Sequence, residues 1–317
     1  MSKKHLFGPV PSRRLGLSLG IDLVPYKTCT LDCIYCESGA TTRLQTNREI
    51  FFSSDTIKLE LEDFWRSTPE EELPAYYTFS GSGEPTLAAN IGEIIRFIKE
   101  QKPQAKVAVL TNGTLLWQKD VRDQLLLADL VMPSLDAALP ETLKRINRPA
   151  EDFSVKNWVE GLKAFRKEYQ GLYHLEIFII PELNTSKKEL EEFKRLILEI
   201  IPDKVQLNTL DRPGVLFDLV KAPKALLEEI MRFWDIPNVE IIGNYKYEET
   251  LLEGEGKDFL KNFILGLVKR RPCTISDLVQ VSGKKPKEVS LALEVLEKEE
   301  LIWTEMRERG VFYRGKG

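Results

Sequence analysis

The sequence predicts an α/β protein: a partial (β/α)6 barrel of the TIM type, followed by a C-terminal winged-helix unit, a helix-turn-helix variant. Three observations carry this expectation. Short apolar runs alternate with amphipathic segments from residue 17 to residue 234. The run HLEIFIIPELN (174–184) is almost continuously apolar, as a strand buried on both faces requires. Every polar or glycine-rich motif follows a strand, where barrels of this type keep their working residues. Right-handed crossovers between such parallel strands curl the sheet. The expected boundaries are a barrel over 1–245, a linker over 246–257 and a winged helix over 258–317.

The elements follow in order. FGPVPSRRLG carries Pro9, Pro11, Gly8 and Gly16 and reads as irregular backbone. Its Arg13 and Arg14 are either solvated charges or donors for an anionic group. LSLGIDLVP (17–25) reads as a strand that hands over to TCTLDCIYCE. Residues 55–66 form a helix with Ser54 or Asp55 as cap. AYYTFSGSGEP (75–85) is strand then turn, and Ile91, Ile94, Ile95 and Ile98 mark one helical face. KVAVLTNGT (106–114) and ADLVMPSLDA (128–137) are strand–turn units separated by a helix over 117–127. A helix over 155–169 precedes the 174–184 strand. KKELEEFKRLILEI follows as helix, then KVQLNTLDRPG (204–214) as strand and turn, a helix over 222–234 and a short strand at 239–242.

The composition excludes several classes. The formal net charge of −4 argues against strong general affinity for nucleic acid. No apolar stretch of about 18 residues occurs and the first residues lack a signal-peptide core, so a cytoplasmic protein without a membrane span is expected. Three of the four cysteines, Cys29, Cys33 and Cys36, fall within eight residues as C-x3-C-x2-C, which is no disulfide framework. Three thiolates on so short a loop can hold three corners of an iron–sulfur cube and leave one iron open. The competitor is structural zinc, whose fourth ligand would be His5, His174 or Cys273. Cys273 otherwise reads as a small buried apolar residue.

The remaining motifs each have two readings. In GSGEP the glycines let backbone approach a ligand and Glu84 accepts from an ammonium group, or the motif is a tight turn with a solvent-facing glutamate. Asn112 and Gly113 form a turn pair. Ser134 and Asp136 hold sugar hydroxyls, or Ser134 satisfies a strand end. Gln206, Asn208, Asp211 and Arg212 contact substrate or form a polar rim.

Taken together, residues 7 to 215 resemble the radical S-adenosylmethionine (SAM) superfamily, through CTLDCIYC and the motifs behind it. The resemblance implies that Cys29, Cys33 and Cys36 bind a [4Fe–4S] cluster whose open iron takes the amino and carboxylate groups of S-adenosylmethionine. It further implies that Gly83 and Glu84 receive the methionine ammonium, that Asn112 lies with them in the cofactor site, that Ser134 and Asp136 contact the ribose, and that Tyr35 approaches the adenine. One-electron reduction by a flavodoxin or ferredoxin would yield a 5′-deoxyadenosyl radical. More narrowly, FGPVPSRRLG, SGSGEPTL, TNGTL, PSLDA, INRP and QLNTLDRP resemble compact bacterial and archaeal members grouped with the tRNA wyosine-base synthases. The chain departs from those synthases, showing neither a second N-terminal cysteine set nor a flavodoxin-like domain. A tRNA base is thus one implied substrate; a protein, peptide or small metabolite is the other.

Beyond the linker, DFLKNFILGLVKRRP, TISDLVQVSG and KPKEVSLALEVLEKEE read as three helices, with Thr274 as a cap and Gly283 as a stop. LIWTEMRERGVFYRG reads as a hairpin wing. From Glu255 to Gly317 there are thirteen Lys or Arg against ten Asp or Glu, but the third helix carries Glu288, Glu294, Glu297, Glu299 and Glu300. Phosphate attraction dominates nucleic-acid affinity, so the pattern favours protein contact or substrate clamping over DNA reading, with Arg307, Arg309 and Arg314 left as phosphate donors. The non-enzymatic alternative is an iron–sulfur or zinc sensor whose winged helix binds DNA.

Overall fold

Burial of the apolar strand runs organises the molecule. The computed structural model describes residues 5–12, 14–242, 257–307 and 310–316; Arg13, Arg309 and linker residues 246–256 lie outside the described residues. The main sheet has eight strands: β1 (Leu6–Ser12), β2 (Gly16–Ile21), β5 (Tyr76–Phe79), β6 (Lys106–Thr111), β7 (Leu130–Pro133), β8 (Leu172–Ile179), β9 (Lys204–Thr209) and β10 (Val239–Ile241), in that spatial order. Two further two-residue strands, β3 (Thr28–Cys29) and β4 (Arg43–Leu44), pair beside it. From β2 to β10 every pairing in the main sheet is parallel; β1 is antiparallel to β2. This is an α/β fold with a mostly parallel sheet, consistent with a partial TIM-type barrel.

The parallel crossovers are made by α1 (Ser54–Ser67), α2 (Ile91–Gln101), α3 (Lys119–Leu125), α4 (Pro140–Ile146), α5 (Val155–Glu168), α6 (Lys187–Ile200) and α7 (Lys224–Trp234). Alternate strand residues such as Leu19, Ile21, Tyr77, Phe79, Val107 and Val109 share one buried cluster with Ile57, Leu61, Ile94 and Ile98 of the helices. Each such side chain contributes about 1.5–3 kcal/mol by leaving water. Other strand residues are polar: Ser18 and Thr78 join hydroxyls at 2.6 Å.

Two expectations are corrected and one element is added. FGPVPS is not irregular but an edge strand with a register shift between Phe7 and Val10, the setting in which a sheet tolerates proline. The cap of α1 is Ser53, whose hydroxyl accepts the Thr56 N–H, rather than Ser54 or Asp55. Helix α4 was not anticipated, because seven residues are too few to show a helical period.

The C-terminal segment forms α8 (Lys257–Arg270), β11 (Cys273–Thr274), α9 (Ile275–Ser282), α10 (Pro286–Lys298), β12 (Ile302–Arg307) and β13 (Gly310–Gly315). Thr274 and Asp277 cap α9 reciprocally, and Gly283, at φ 61°, ends it. The sheet order is β11-β13-β12, and Leu260, Ile264, Leu278, Leu293 and Phe312 are buried in this part of the chain. Arg314 donates to the Pro213 carbonyl at 2.9 Å, Arg307 to that of Phe217 at 2.8 Å, and Ser38 to that of Arg270 at 3.0 Å. These bonds seat the segment against the loop after β9 and the loop after β3.

Candidate active site

The cysteine loop leaves β2 and is held from two sides. On one, β3 pairs with β4 and the Gln45 N–H donates to the Cys29 carbonyl at 3.0 Å. On the other, the end of α4 receives the loop: the Asp32 N–H reaches the Asn147 carbonyl and the Ile34 N–H that of Ile146, both at 2.9 Å. The three thiols are free of disulfides and partly buried. Each sulfur accepts one side-chain hydrogen bond. Asn112 Nδ2 donates to Cys29 at 3.6 Å, Asn147 Nδ2 to Cys33 at 3.3 Å and Lys27 Nζ to Cys36 at 3.0 Å.

Burial, with Glu84 nearby, pushes the Cys29 thiol up to about 12; burial and then the Cys29 and Cys36 sulfurs raise Cys33 well above the thiol range. Such thiols keep their protons at neutral pH unless a metal takes the proton's place. Burial works against the Lys27 ammonium, but the neighbouring sulfurs outweigh it and the net shift is upward.

This donor set fits an iron–sulfur cluster: three soft ligands on one loop, with N–H groups aimed at sulfur in the manner that tunes such clusters. Among the described residues no group of three His, Cys, Asp or Glu side chains could hold a single metal ion. His5, offered as a zinc ligand, lies against Glu60 at 2.9 Å instead. Two buried acceptors here, Thr28 Oγ1 and Asn147 Oδ1, lack a partner among the described residues; they suit a polar small-molecule cofactor.

The GSGEP turn packs on this loop. A Cβ at Gly83 would overlap the Thr28 carbonyl oxygen, so the close approach this glycine permits is between two protein backbones. Glu84 is 2% exposed rather than solvent-facing. Its Oε1 accepts from the Thr86 N–H and from the hydroxyls of Thr86 and Thr111, and its Oε2 from the Asn112 N–H at 2.8 Å. Burial nevertheless leaves its carboxyl raised, against these four bonds. Asn112 does form a turn with Gly113, at φ 71°, and its side chain also donates to Thr30 at 2.8 Å.

Tyr35 and Asp136 are brought together across the mouth. The Tyr35 hydroxyl donates to Asp136 Oδ2 and accepts from Asn147 at 3.2 Å, while its ring stacks on Phe178 at 4.2 Å. Asp136 Oδ1 accepts the Phe178 N–H at 2.8 Å, and burial pushes its carboxyl up to about 7. Ser134 bonds the Thr111 carbonyl through its backbone and lies beside Glu176. Arg14 pairs with Glu176 rather than standing in solvent. Gln206 is bonded to Glu240, and Arg212, 6% exposed, pairs with Glu37 at 3.3 Å and lies 3.7 Å from Asp211.

Sequence reasoning missed Lys27 and Asn147. INRP and the lysine before TC were the only signals, and neither says that its side chain turns toward sulfur.

Residues 23–197 match the family model described as the Radical SAM superfamily. The chain belongs to the radical SAM superfamily. It is 35% identical over 254 residues to a UPF0026 protein of Methanocaldococcus jannaschii, covering 80% of this chain and 77% of that one, and so belongs to the UPF0026 group as well. It is 42% identical over 212 residues to a Brachyspira hyodysenteriae protein named GTPase Obg, covering 67% of this chain. That match spans 31% of the Brachyspira protein's length. A radical SAM methyltransferase from Sphaerobacter thermophilus shares the fold at a TM-score of 0.56 and 16% identity, covering 71% of this chain and 65% of that one. The protein is thus a radical SAM enzyme, whose cofactors are a [4Fe–4S] cluster and S-adenosylmethionine. No helix of the described residues is long and apolar enough to cross a membrane.

Proposed function

We propose that Cys29, Cys33 and Cys36 hold the [4Fe–4S] cluster and leave one iron open to S-adenosylmethionine. The observation that carries this reading is the pairing of each loop sulfur with its own side-chain N–H donor. When bound and reduced by one electron, the two cofactors supply a 5′-deoxyadenosyl radical that abstracts hydrogen from the substrate. The chain's own residues bind and orient. Asn112 and Asn147 fix two of the sulfurs. Gly83, Glu84 and Asn112 are assigned to the methionine end, with Glu84 acting as the clamp that ties the GSGEP turn to the strand end before Asn112. Tyr35 is assigned to the adenine, its ring steadied by Phe178 and Asp136, and Ser134 and Asp136 to the ribose.

We read residues 1–245 as the barrel, 246–257 as a linker and 258–317 as a winged helix whose β12–β13 hairpin is the wing. Its bonds to Pro213, Phe217 and Ser38 support a role as a clamp over the mouth, which keeps a radical from water. The resemblance to the wyosine-synthase group supports an RNA base as substrate. The acidic α10 favours the second reading, a protein, peptide or small metabolite. A flavodoxin or ferredoxin is the donor class this chemistry needs.

The test is anaerobic: reconstituted protein, dithionite and S-adenosylmethionine, with deuterated bulk tRNA in one arm and deuterated protein extract in the other. Formation of 5′-deoxyadenosine is expected, and the arm that passes deuterium to it names the substrate class. No 5′-deoxyadenosine in any arm ends the reading.

A further inference from the structure

Lys27 lies two residues before Cys29, 2% exposed, with a left-handed backbone at φ 56°. A non-glycine residue keeps that conformation only where its surroundings hold it. Here its carbonyl accepts the N–H groups of Thr42 at 3.0 Å and Arg43 at 3.1 Å. The ammonium so anchored sits 3.0 Å from Cys36 Sγ. A buried ammonium is costly unless a negative charge answers it. The cluster thiolates supply that charge. Asn112 and Asn147 donate to the other two sulfurs as neutral amides; among these three donors only Lys27 brings a full charge.

We propose that Lys27 is a positioning residue that acts through Cys36 to raise the reduction potential of the cluster. The proposal rests on the reading that Cys29, Cys33 and Cys36 hold that cluster. In the step concerned, one electron passes from a low-potential carrier to the cluster. No bond forms or breaks and no proton is needed, so the cluster and its thiolates gain one unit of negative charge. A fixed positive charge in a poorly solvated position stabilises the reduced form more than the oxidised one. Removing it moves the equilibrium toward the oxidised cluster and makes the first step harder for the same carrier.

The experiment is a potentiometric titration of reconstituted full-length protein, followed by the electron paramagnetic resonance (EPR) signal of the reduced cluster, with iron counted on the same samples. Lys27→Met keeps the chain length and removes the charge; Lys27→Arg keeps the charge. Lys27→Met should hold as much iron as the unaltered protein while its reduction equilibrium falls about tenfold, which is about 59 mV for one electron. Lys27→Arg should return most of that shift. A Lys27→Met protein with full iron and an unchanged potential overturns the proposal, as does a folded one that holds no iron, since the lysine would then serve assembly. Should Lys27→Met not fold, Lys27→Gln is read in its place by the same criteria. A Cys33→Ala protein that keeps the cluster would instead overturn the underlying site reading, which separates the two failures.

Discussion

Gly83 and the Thr28 carbonyl leave no space between the two loops that form the mouth. Gly83→Ala must therefore move a backbone rather than a flexible side chain, at a cost of about 1–3 kcal/mol. Urea unfolding should show that loss, and reconstituted iron should fall with it; unchanged values for both would contradict the packing. Asn147 is fully buried and donates to both Cys33 and Tyr35. Asn147→Leu should cost about 1–3 kcal/mol, because it strands polar partners, and should reduce cluster retention during gel filtration. Asp22 gives a pH test. Burial raises its carboxyl above the ordinary 3.8, although its carboxylate accepts two bonds from Ser82 and faces Arg270. The folded state thus holds that proton more tightly than the unfolded state. Its contribution is present below the unfolded pKa and is lost as pH rises through the folded one. Asp22→Asn should flatten that decline in urea midpoints as pH rises above about 4. At this scale the sequence singled out residue types at strand ends but not what they touch. Glu84 and Asp136 were legible as carboxylates at strand ends. Their partners Thr111 and Tyr35 lie 27 and 101 residues away in the chain, and no local pattern encodes such pairings.

Strands and long helices were legible because burial imposes a period on them. The isoleucine face of α2 is found where the period predicts, and the apolar run that begins at His174 supplies β8 as far as Ile179. What escaped were short elements set by neighbours rather than by period. Helix α4 has seven residues, yet its last turn and Asn147 hold the cysteine loop. Strand β1 contains two prolines that forbid a central position, but an edge strand beside β2 tolerates them. The capping signal at Thr274 was readable because the box lies within four residues. Thr274→Ala should cost about 1 kcal/mol, seen as faster hydrogen exchange in α9 with the rates of α2 unaltered. Equal acceleration in both helices would mean that the two parts unfold as one.

At the scale of the whole molecule, the C-terminal segment and the cysteine loop are joined through residues 213–217. The Leu216 N–H bonds the Ile34 carbonyl at 3.0 Å, a Cβ at Gly214 would press on the Tyr35 backbone, and Arg314 and Arg307 hold the same stretch from outside. Replacing both arginines by methionine should raise hydrogen exchange in residues 34–36 and 213–217 together; a rise confined to the hairpin would leave the clamp without support. No sequence pattern revealed this seam, since it is built largely from backbone carbonyls. The central claim is that three thiols leave one iron open to S-adenosylmethionine. Its most direct test is the EPR spectrum of the dithionite-reduced, reconstituted protein, recorded with and without S-adenosylmethionine, beside Cys33→Ala. A reduced-cluster signal that changes when S-adenosylmethionine is added, and is absent from Cys33→Ala, is the result expected. A signal indifferent to S-adenosylmethionine, or one that survives in Cys33→Ala, would contradict the account.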